Sequence, residues 1–369
     1  VLAHTGGREG YKVVALTGAG QVDLLARQAL AVGAEVAVTA DESRLDDLRG
    51  ALAGSGVEAA AGAEALAEAA ARPSDWVMAA IVGAAGLPPT LAAAKTGATI
   101  ALANKECLVS AGGLFLRAAE DHNARVIPVD SEHSAIFQCI DRQAGRAPDR
   151  FVLTASGGPF RTWSRSEMAR VTAKEAAAHP NWDMGQKISI DSASMFNKAL
   201  EMIEARWLFG ATADNLEVLI HPQSIVHSAV GYTDGSLIAH MGPPDMRTAI
   251  GYALSWPARA DLPVDPLSLA DLARLDFEAP DEVRFPALRL ARLAMAENEL
   301  AGAALNGAKE AALEAFIAGH IGFLDMADVV ETTLERLTPY PPARDLKDVF
   351  DMDANARRIA TEVMRNNAA

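Results

Sequence analysis

Short apolar runs alternate with longer helical patterns through the first 130 residues. Residues 11–16, 35–39, 76–82, 99–103 and 125–129 have the near-continuous hydrophobic character of buried strands. Between them, the Ala- and Leu-rich stretches 22–32, 45–53, 63–71 and 89–95 read as helices. Strands alternating with helices of this length predict right-handed crossovers and a doubly wound parallel sheet. In such sheets ligands bind beyond the carboxyl ends of the strands. A nucleotide-sized ligand is therefore expected near Val-Gly-Ala-Ala-Gly (82–86) and Asn104-Lys105-Glu106.

The pattern changes after about residue 130. A strand over 150–155 leads into Gly157-Gly158-Pro159, then a Trp- and Pro-containing loop (179–186), then a helix over 194–209. Two alternating runs, 216–232 and 237–241, flank Thr233-Asp234-Gly235-Ser236, where Asp-Gly is a strong hairpin signal. This is an α+β pattern with antiparallel strands. Residues 257–286 are proline-rich without clear periodicity and read as a linker, and helical patterns over 287–299, 304–318, 325–337 and 346–366 predict a C-terminal bundle. The predicted organisation is a Rossmann-like nucleotide-binding domain (1–130), an α+β domain (131–256), the linker (257–286) and a helical domain (287–369).

Composition narrows the function classes. Lys and Arg number 33 against 48 Asp and Glu, a net charge of −15, so no nucleic-acid partner is expected. No apolar run reaches the ~18 residues of a membrane span, so no membrane partner is expected either. Cys107 and Cys139 are too few for a disulfide scaffold or a four-thiolate zinc site, which fits a reducing, cytoplasmic compartment. The chain opens Val1-Leu2-Ala3 and reads as the tail of a helix rather than a signal peptide. A first strand, its Gly-x-Gly-x-x-Gly turn and most of a helix, on the order of 20 residues, are expected to be missing ahead of it.

The candidate chemistry begins at Asp130-Ser131-Glu132. Directly after a strand, residues two apart point the same way, so both carboxylates can face one ligand. The plain alternative is two solvated acids at a strand end. In Asp191-Ser-Ala-Ser-Met-Phe-Asn-Lys-Ala-Leu-Glu201, Asn197 and Lys198 share a helical face with Glu201. Ser192 and Ser194 are expected at the start of that helix, where hydroxyls, N–H groups and a lysine suit a phosphate. Glu201 can add a third carboxylate, and three hard oxygen donors suit Mg2+ or Mn2+. An ordinary amphipathic helix with a Glu–Lys pair remains the alternative. Trp182 and Met184, on a loop between His179-Pro180 and Gly185, can close over a substrate or merely anchor the loop. Ser156-Gly157-Gly158 is an anion-friendly turn. His221 and His227 read as hydrogen-bonded structural histidines, and neither cysteine has a base beside it.

Taken together, several strings resemble the 1-deoxy-D-xylulose 5-phosphate reductoisomerase family. They are Ala-Ile-Val-Gly-Ala-Ala-Gly (80–86), Leu-Ala-Asn-Lys-Glu (102–106), Pro-Val-Asp-Ser-Glu-His (128–133), Ala-Ser-Gly-Gly-Pro-Phe (155–160) and His-Pro-Asn-Trp-Asp-Met-Gly (179–185). Asp-Ser-Ala-Ser-Met (191–195), Asn-Lys-Ala-Leu-Glu (197–201), Ile-His-Pro-Gln-Ser (220–224) and Gly-Pro-Pro-Asp-Met-Arg (242–247) extend the likeness over nearly the whole chain.

The resemblance implies an NADPH- and metal-dependent rearrangement and reduction of a small sugar phosphate in isoprenoid biosynthesis, by a homodimer. It makes Asp130, Glu132 and Glu201 ligands of Mg2+ or Mn2+, with Co2+ a further candidate. Ser156, His179, Ser192, Asn197 and Lys198 become phosphate and hydroxyl contacts, with Ser131 and Lys105 on the substrate backbone. Asn104, Glu106 and Gly185 line the nicotinamide cofactor, and Trp182 and Met184 form a lid. At Ala19-Gly20-Gln21 the family pattern has a turn with a lysine, whereas this turn carries no cation. Two other readings remain open at this point: a metal-dependent sugar-phosphate isomerase without redox chemistry, and a non-catalytic nucleotide-binding module.

Overall fold

The computed structural model describes residues 1–141, 148–182 and 184–367. These form ten strands: β1 (Ala15–Gly18), β2 (Val36–Thr39), β3 (Glu58–Ala61), β4 (Trp76–Ala79), β5 (Thr99–Leu102), β6 (Arg125–Pro128), β7 (Arg150–Ala155), β8 (Leu216–Ile220), β9 (Val226–Gly231) and β10 (Leu237–Met241). The chain divides into two compact units, each discontinuous. The first comprises Val1–Asn104, Phe115–Asp130 and Met246–Val264, and the second Lys105–Leu114, Ser131–Asp245 and Asp265–Ala369.

The first unit holds two parallel three-stranded sheets, β1-β2-β3 and β4-β5-β6. Helix Val22–Val32 shows why its sequence folds as it does. Val22, Leu25, Ala26 and Ala29 follow the i, i+3, i+4, i+7 spacing, are all buried, and pack with Ala37 and Leu48. Gly33, at φ 67, ends the helix in the left-handed conformation. The expected strand over 11–16 forms later, at β1. Strand β3 was not expected, because Glu-Ala-Ala-Ala lacks the β-branched and aromatic residues that mark strands. Residues 1–5 form hydrogen-bonded turns, followed by a short helix at Gly7–Gly10. Helix Met246–Ser255 belongs to this unit, and the Trp76 indole donates to Ala253 O at 3.1 Å.

The second unit is built on a mixed sheet in the order β10-β9-β7-β8. Strands β7 and β8 run parallel, whereas β7–β9 and β9–β10 are antiparallel, so the expected antiparallel pairing is joined by one parallel pair. The Asp-Gly hairpin forms as expected between β9 and β10, and the single run expected over 216–232 is two strands. Helix Ser131–Cys139 packs on β9 and β10. Neither this helix nor Glu106–Asp121 was expected. In the latter, Gly112-Gly113 masks the helical signal, and the chain kinks at Ala111. The C-terminal helices Glu299–Ile317, Asp325–Leu337 and Leu346–Asn367 pack together as the expected bundle. Gly302 lets the first of them approach the Val109 carbonyl, where a Cβ would stand 1.9 Å from the oxygen. Within 257–286 the chain forms a helical turn at Leu269–Leu272 and a bridge from Glu278 to Ile220.

Candidate active site

The carboxylates come together, but not for the reason the sequence suggested. Strand alternation does not place Glu132. Ser131 and Glu132 instead open helix Ser131–Cys139, directly after Asp130 in the chain. Oxygen atoms of Asp130, Glu132 and Glu201 all lie within 4.8 Å of one another, and Asp130, His133 and Glu204 form a second such group. Glu201 is fully buried on helix Phe196–Phe209. Its carboxylate accepts bonds from Lys105 Nζ at 3.3 Å, from Asn197 Nδ2 and from Lys198 Nζ. Lys198 Nζ also donates to Glu132 Oε1 at 2.8 Å, and the Ser131 hydroxyl donates to Glu132 Oε2.

His133 and Glu204 are site residues that the sequence reading missed. His133 Nε2 donates to the Glu201 carbonyl at 2.9 Å, and Glu204 Oε2 lies 3.6 Å from Lys105 Nζ. The signal for Glu204 was its i,i+3 spacing from Glu201. Four carboxylates and two ammonium groups are drawn together here. Such crowding is costly unless a cation compensates it. A divalent cation with oxygen preference fits the donor set.

A second constellation lies on the 156–194 segment. His179 Nδ1 accepts backbone bonds from Asn181 N at 3.1 Å and Trp182 N at 2.9 Å. The ring proton therefore sits on Nε2, which donates to Ser156 Oγ at 3.0 Å. Burial pushes the His179 pKa down, which favours the same neutral ring. Ser156 Oγ also accepts from Gly158 N at 3.1 Å, so the hydroxyl proton can be aimed at an incoming oxygen. Gly158, at φ 66, brings this turn against the backbone of Ser192 and Ala193.

Ser192 and Ser194 do not stand at the start of helix Phe196–Phe209. Ser192 lies in the last turn of a separate helix, Gln186–Ala193, and Ser194 caps its C-terminal end. Met195, at φ 64, breaks the chain before Phe196–Phe209 begins, a reversal that no glycine announced. Asn181 Nδ2 pins the loop stem to Pro222 O at 2.7 Å and Ser224 Oγ at 2.8 Å. Trp182 and Met184 are half-buried and Gly185 is exposed, while Asp183 of the same loop lies outside the described residues.

Asn104 is buried, and its amide donates to Ile81 O and, at 3.0 Å, to Gly83 O, so it braces the loop after β4. Gly86 permits this, since a Cβ there would meet Ile81 O at 2.5 Å and Asn104 Nδ2 at 2.7 Å. Glu106 is buried, and burial raises its carboxyl pKa. Ala19, Gly20 and Gln21 form an exposed turn after β1. The structure brings Arg44 Nη1 to 3.2 Å from Gly20 O, a cation that local sequence did not show. His221 and His227 are hydrogen-bonded to Asp276 O and Gly242 O, as structural histidines should be.

Three family profiles match the sequence. One described as 1-deoxy-D-xylulose 5-phosphate reductoisomerase covers residues 1–112, the C-terminal domain of that enzyme covers 126–209, and a further DXP reductoisomerase C-terminal domain covers 241–359. The 1-deoxy-D-xylulose 5-phosphate reductoisomerase of Rhizobium etli (strain CIAT 652) is 63% identical over 99% of this chain and 92% of its own length. The chain belongs to the 1-deoxy-D-xylulose 5-phosphate reductoisomerase family.

The reductoisomerase of Rhizobium meliloti (strain 1021) is 62% identical over 99% of this chain and 93% of its own length. Among solved reductoisomerase structures, that from Zymomonas mobilis in complex with NADPH matches with a TM-score of 0.91 and 51% identity, covering 97% of this chain and 93% of that one. A second, in complex with NADPH, fosmidomycin and magnesium, matches with a TM-score of 0.91 and 41% identity over 96% of this chain and 92% of that one. The likeness extends over both units of the reductoisomerase chain and accords with its parallel sheets, mixed sheet and terminal helices.

Proposed function

We propose that Asp130, Glu132 and Glu201 hold the divalent cation of this NADPH-dependent reductoisomerase, and that Ser156, His179, Ser192, Asn197 and Lys198 hold the phosphate and hydroxyl groups of the substrate, Ser156 and Ser192 on the phosphate side. The reaction converts 1-deoxy-D-xylulose 5-phosphate to 2-C-methyl-D-erythritol 4-phosphate by a skeletal rearrangement followed by hydride reduction. The observation that carries the site assignment is the convergence of the Asp130, Glu132 and Glu201 carboxylate oxygens within 4.8 Å of one another. Mg2+ or Mn2+ bound there supplies Lewis-acid polarisation and a template for adjacent oxygens, and Co2+ suits the same donors.

The chain's own groups divide the remaining work. Lys105 and Lys198 orient the Glu201 and Glu132 carboxylates, and Lys105 with Ser131 meets the substrate backbone. The neutral His179 donates to Ser156 Oγ and so frees the Ser156 hydroxyl proton for a phosphate oxygen. Phosphate binding, remote from the reacting carbons, supplies energy to close the loop bearing Trp182 and Met184 and exclude water. Asn104, Glu106, Gly185 and the Ala19-Gly20-Gln21 turn serve the nicotinamide cofactor, with Arg44 as the cation beside the turn. Nucleotide binding falls to 1–130 and catalysis to 131–256, joined by 257–286 to the helical 287–369. NADPH oxidation is expected to require both the sugar phosphate and Mg2+ or Mn2+. Oxidation undiminished after chelation would reject the metal assignment.

A homodimer is the expected assembly. Strand β10 lies at the edge of its sheet, with Leu237 56% and Ile238 41% exposed, and an open edge of this kind favours pairing with a second copy. Light scattering at micromolar concentration should return twice the 38.8 kDa chain mass, and a monomer mass would contradict it. Among the described residues no helix is long and apolar enough to cross a membrane. Cys107 and Cys139 are both buried and form no disulfide, which is consistent with the cytoplasmic setting we propose.

A further inference from the structure

Helix Gln186–Ala193 is tied at both ends to the long helix Glu299–Ile317. In its first turn, Lys187 Nζ lies 3.2 Å from Glu310 Oε2 and 3.0 Å from Glu314 Oε1. In its last turns, Asp191 Oδ2 accepts a 2.9 Å bond from Lys309 Nζ, which also donates to Glu310 Oε1. Lys309 is only 3% exposed, on a helix whose neighbouring Leu305, Ala308, Ala312 and Leu313 are buried too. No step of the reaction uses it. Burial pushes its ammonium toward neutrality, but the Asp191 and Glu310 carboxylates outweigh that and keep it charged.

Stability does not account for a cation here, because well-packed apolar residues of similar volume often serve as well as a buried ion pair. The place of the pair does account for it. Asp191 immediately precedes Ser192. A Cβ on Gly158 would come within 3.1 Å of Ser192 O and 3.0 Å of Ala193 Cα, so this backbone abuts the turn in which Gly158 N bonds Ser156 Oγ. Two lysines face three carboxylates in the cluster, so it offers an anion no surplus positive charge, and its effect is geometric.

We propose that Lys309 is a positioning residue for the phosphate subsite, holding the Ser192 backbone against the Ser156–Gly158 turn through Asp191. The inference rests on the reading that Ser156 and Ser192 hold the substrate phosphate.

The test is the double variant Lys309→Met/Asp191→Asn, which removes both charges together and strands neither, with Ser192→Ala measured alongside. Kinetics with each substrate varied separately should show the KM for 1-deoxy-D-xylulose 5-phosphate raised about tenfold, the scale of one lost hydrogen bond to a charged group. The KM for NADPH and kcat should stay within about twofold, and thermal melting should stay close to that of the parent protein. If Ser192→Ala raises the sugar-phosphate KM but the folded double variant does not, the positioning role is overturned and the phosphate reading stands. If Ser192→Ala leaves that KM unchanged, both are overturned. Activity lost only in proportion to the unfolded fraction marks Lys309 as structural and also overturns the proposal. Should the double variant not fold, Asp191→Asn alone decides by the same readout, since Lys309 keeps Glu310 as its partner.

Discussion

Glu201→Gln should lower kcat/KM by about a thousandfold, equivalent to about 4 kcal/mol of transition-state stabilisation at a metal-assisted centre. Glu201 stands where three sets of contacts converge. It belongs to the carboxylate group around the proposed cation, it accepts from Lys105, Asn197 and Lys198, and its own carbonyl is held by His133. The amide keeps the shape but removes one negative charge and turns an N–H2 group toward donors that need an acceptor. Weakened Mn2+ binding should accompany the loss of rate, measured by titration on the folded variant. Helix Phe196–Phe209 should persist, because Phe196, Leu200, Met202 and Ile203 remain buried. A variant with unchanged metal affinity and near-normal turnover at limiting metal would remove Glu201 from the ligand set.

The fold was legible wherever periodicity alone decides it. Helix Val22–Val32 and helix Asp325–Leu337 fall on the residues expected, because each carries an apolar stripe that a single layer buries. Strand β3 and helix Glu106–Asp121 were not legible, since Ala-rich and Gly-containing segments take their state from neighbours rather than from propensity. The site divides in the same way. Asn197, Lys198 and Glu201 could be grouped by helical spacing, and the structure groups them. Ser192 could not be placed, because the break at Met195 occurs in a left-handed conformation that local sequence did not mark. Contacts across distant segments, such as Lys309 with Asp191 or Arg44 with Gly20, leave no trace in spacing at all.

Trp182→Ala should reduce kcat/KM by about a hundredfold, the scale of a mispositioned reacting geometry, while changing the melting temperature little. The loop stem is held by groups other than the indole. His179 Nδ1 accepts from the backbone of Asn181 and Trp182, and the Asn181 side chain is pinned to Pro222 and Ser224. Removing the ring therefore leaves the stem in place. The half-buried indole lies 6.3 Å from the His227 ring, tilted against it. As a lid, Trp182 loses contact with water when substrate binds, and its fluorescence should respond to 1-deoxy-D-xylulose 5-phosphate in the presence of metal. A Trp that only anchors the loop behaves in the opposite way. Truncating a core aromatic costs about 3–5 kcal/mol of stability and affects catalysis only through the folded fraction. Melting temperature and kcat/KM measured on the same variant separate the two. A large fall in melting temperature with normal specific activity of the folded protein would end the lid assignment.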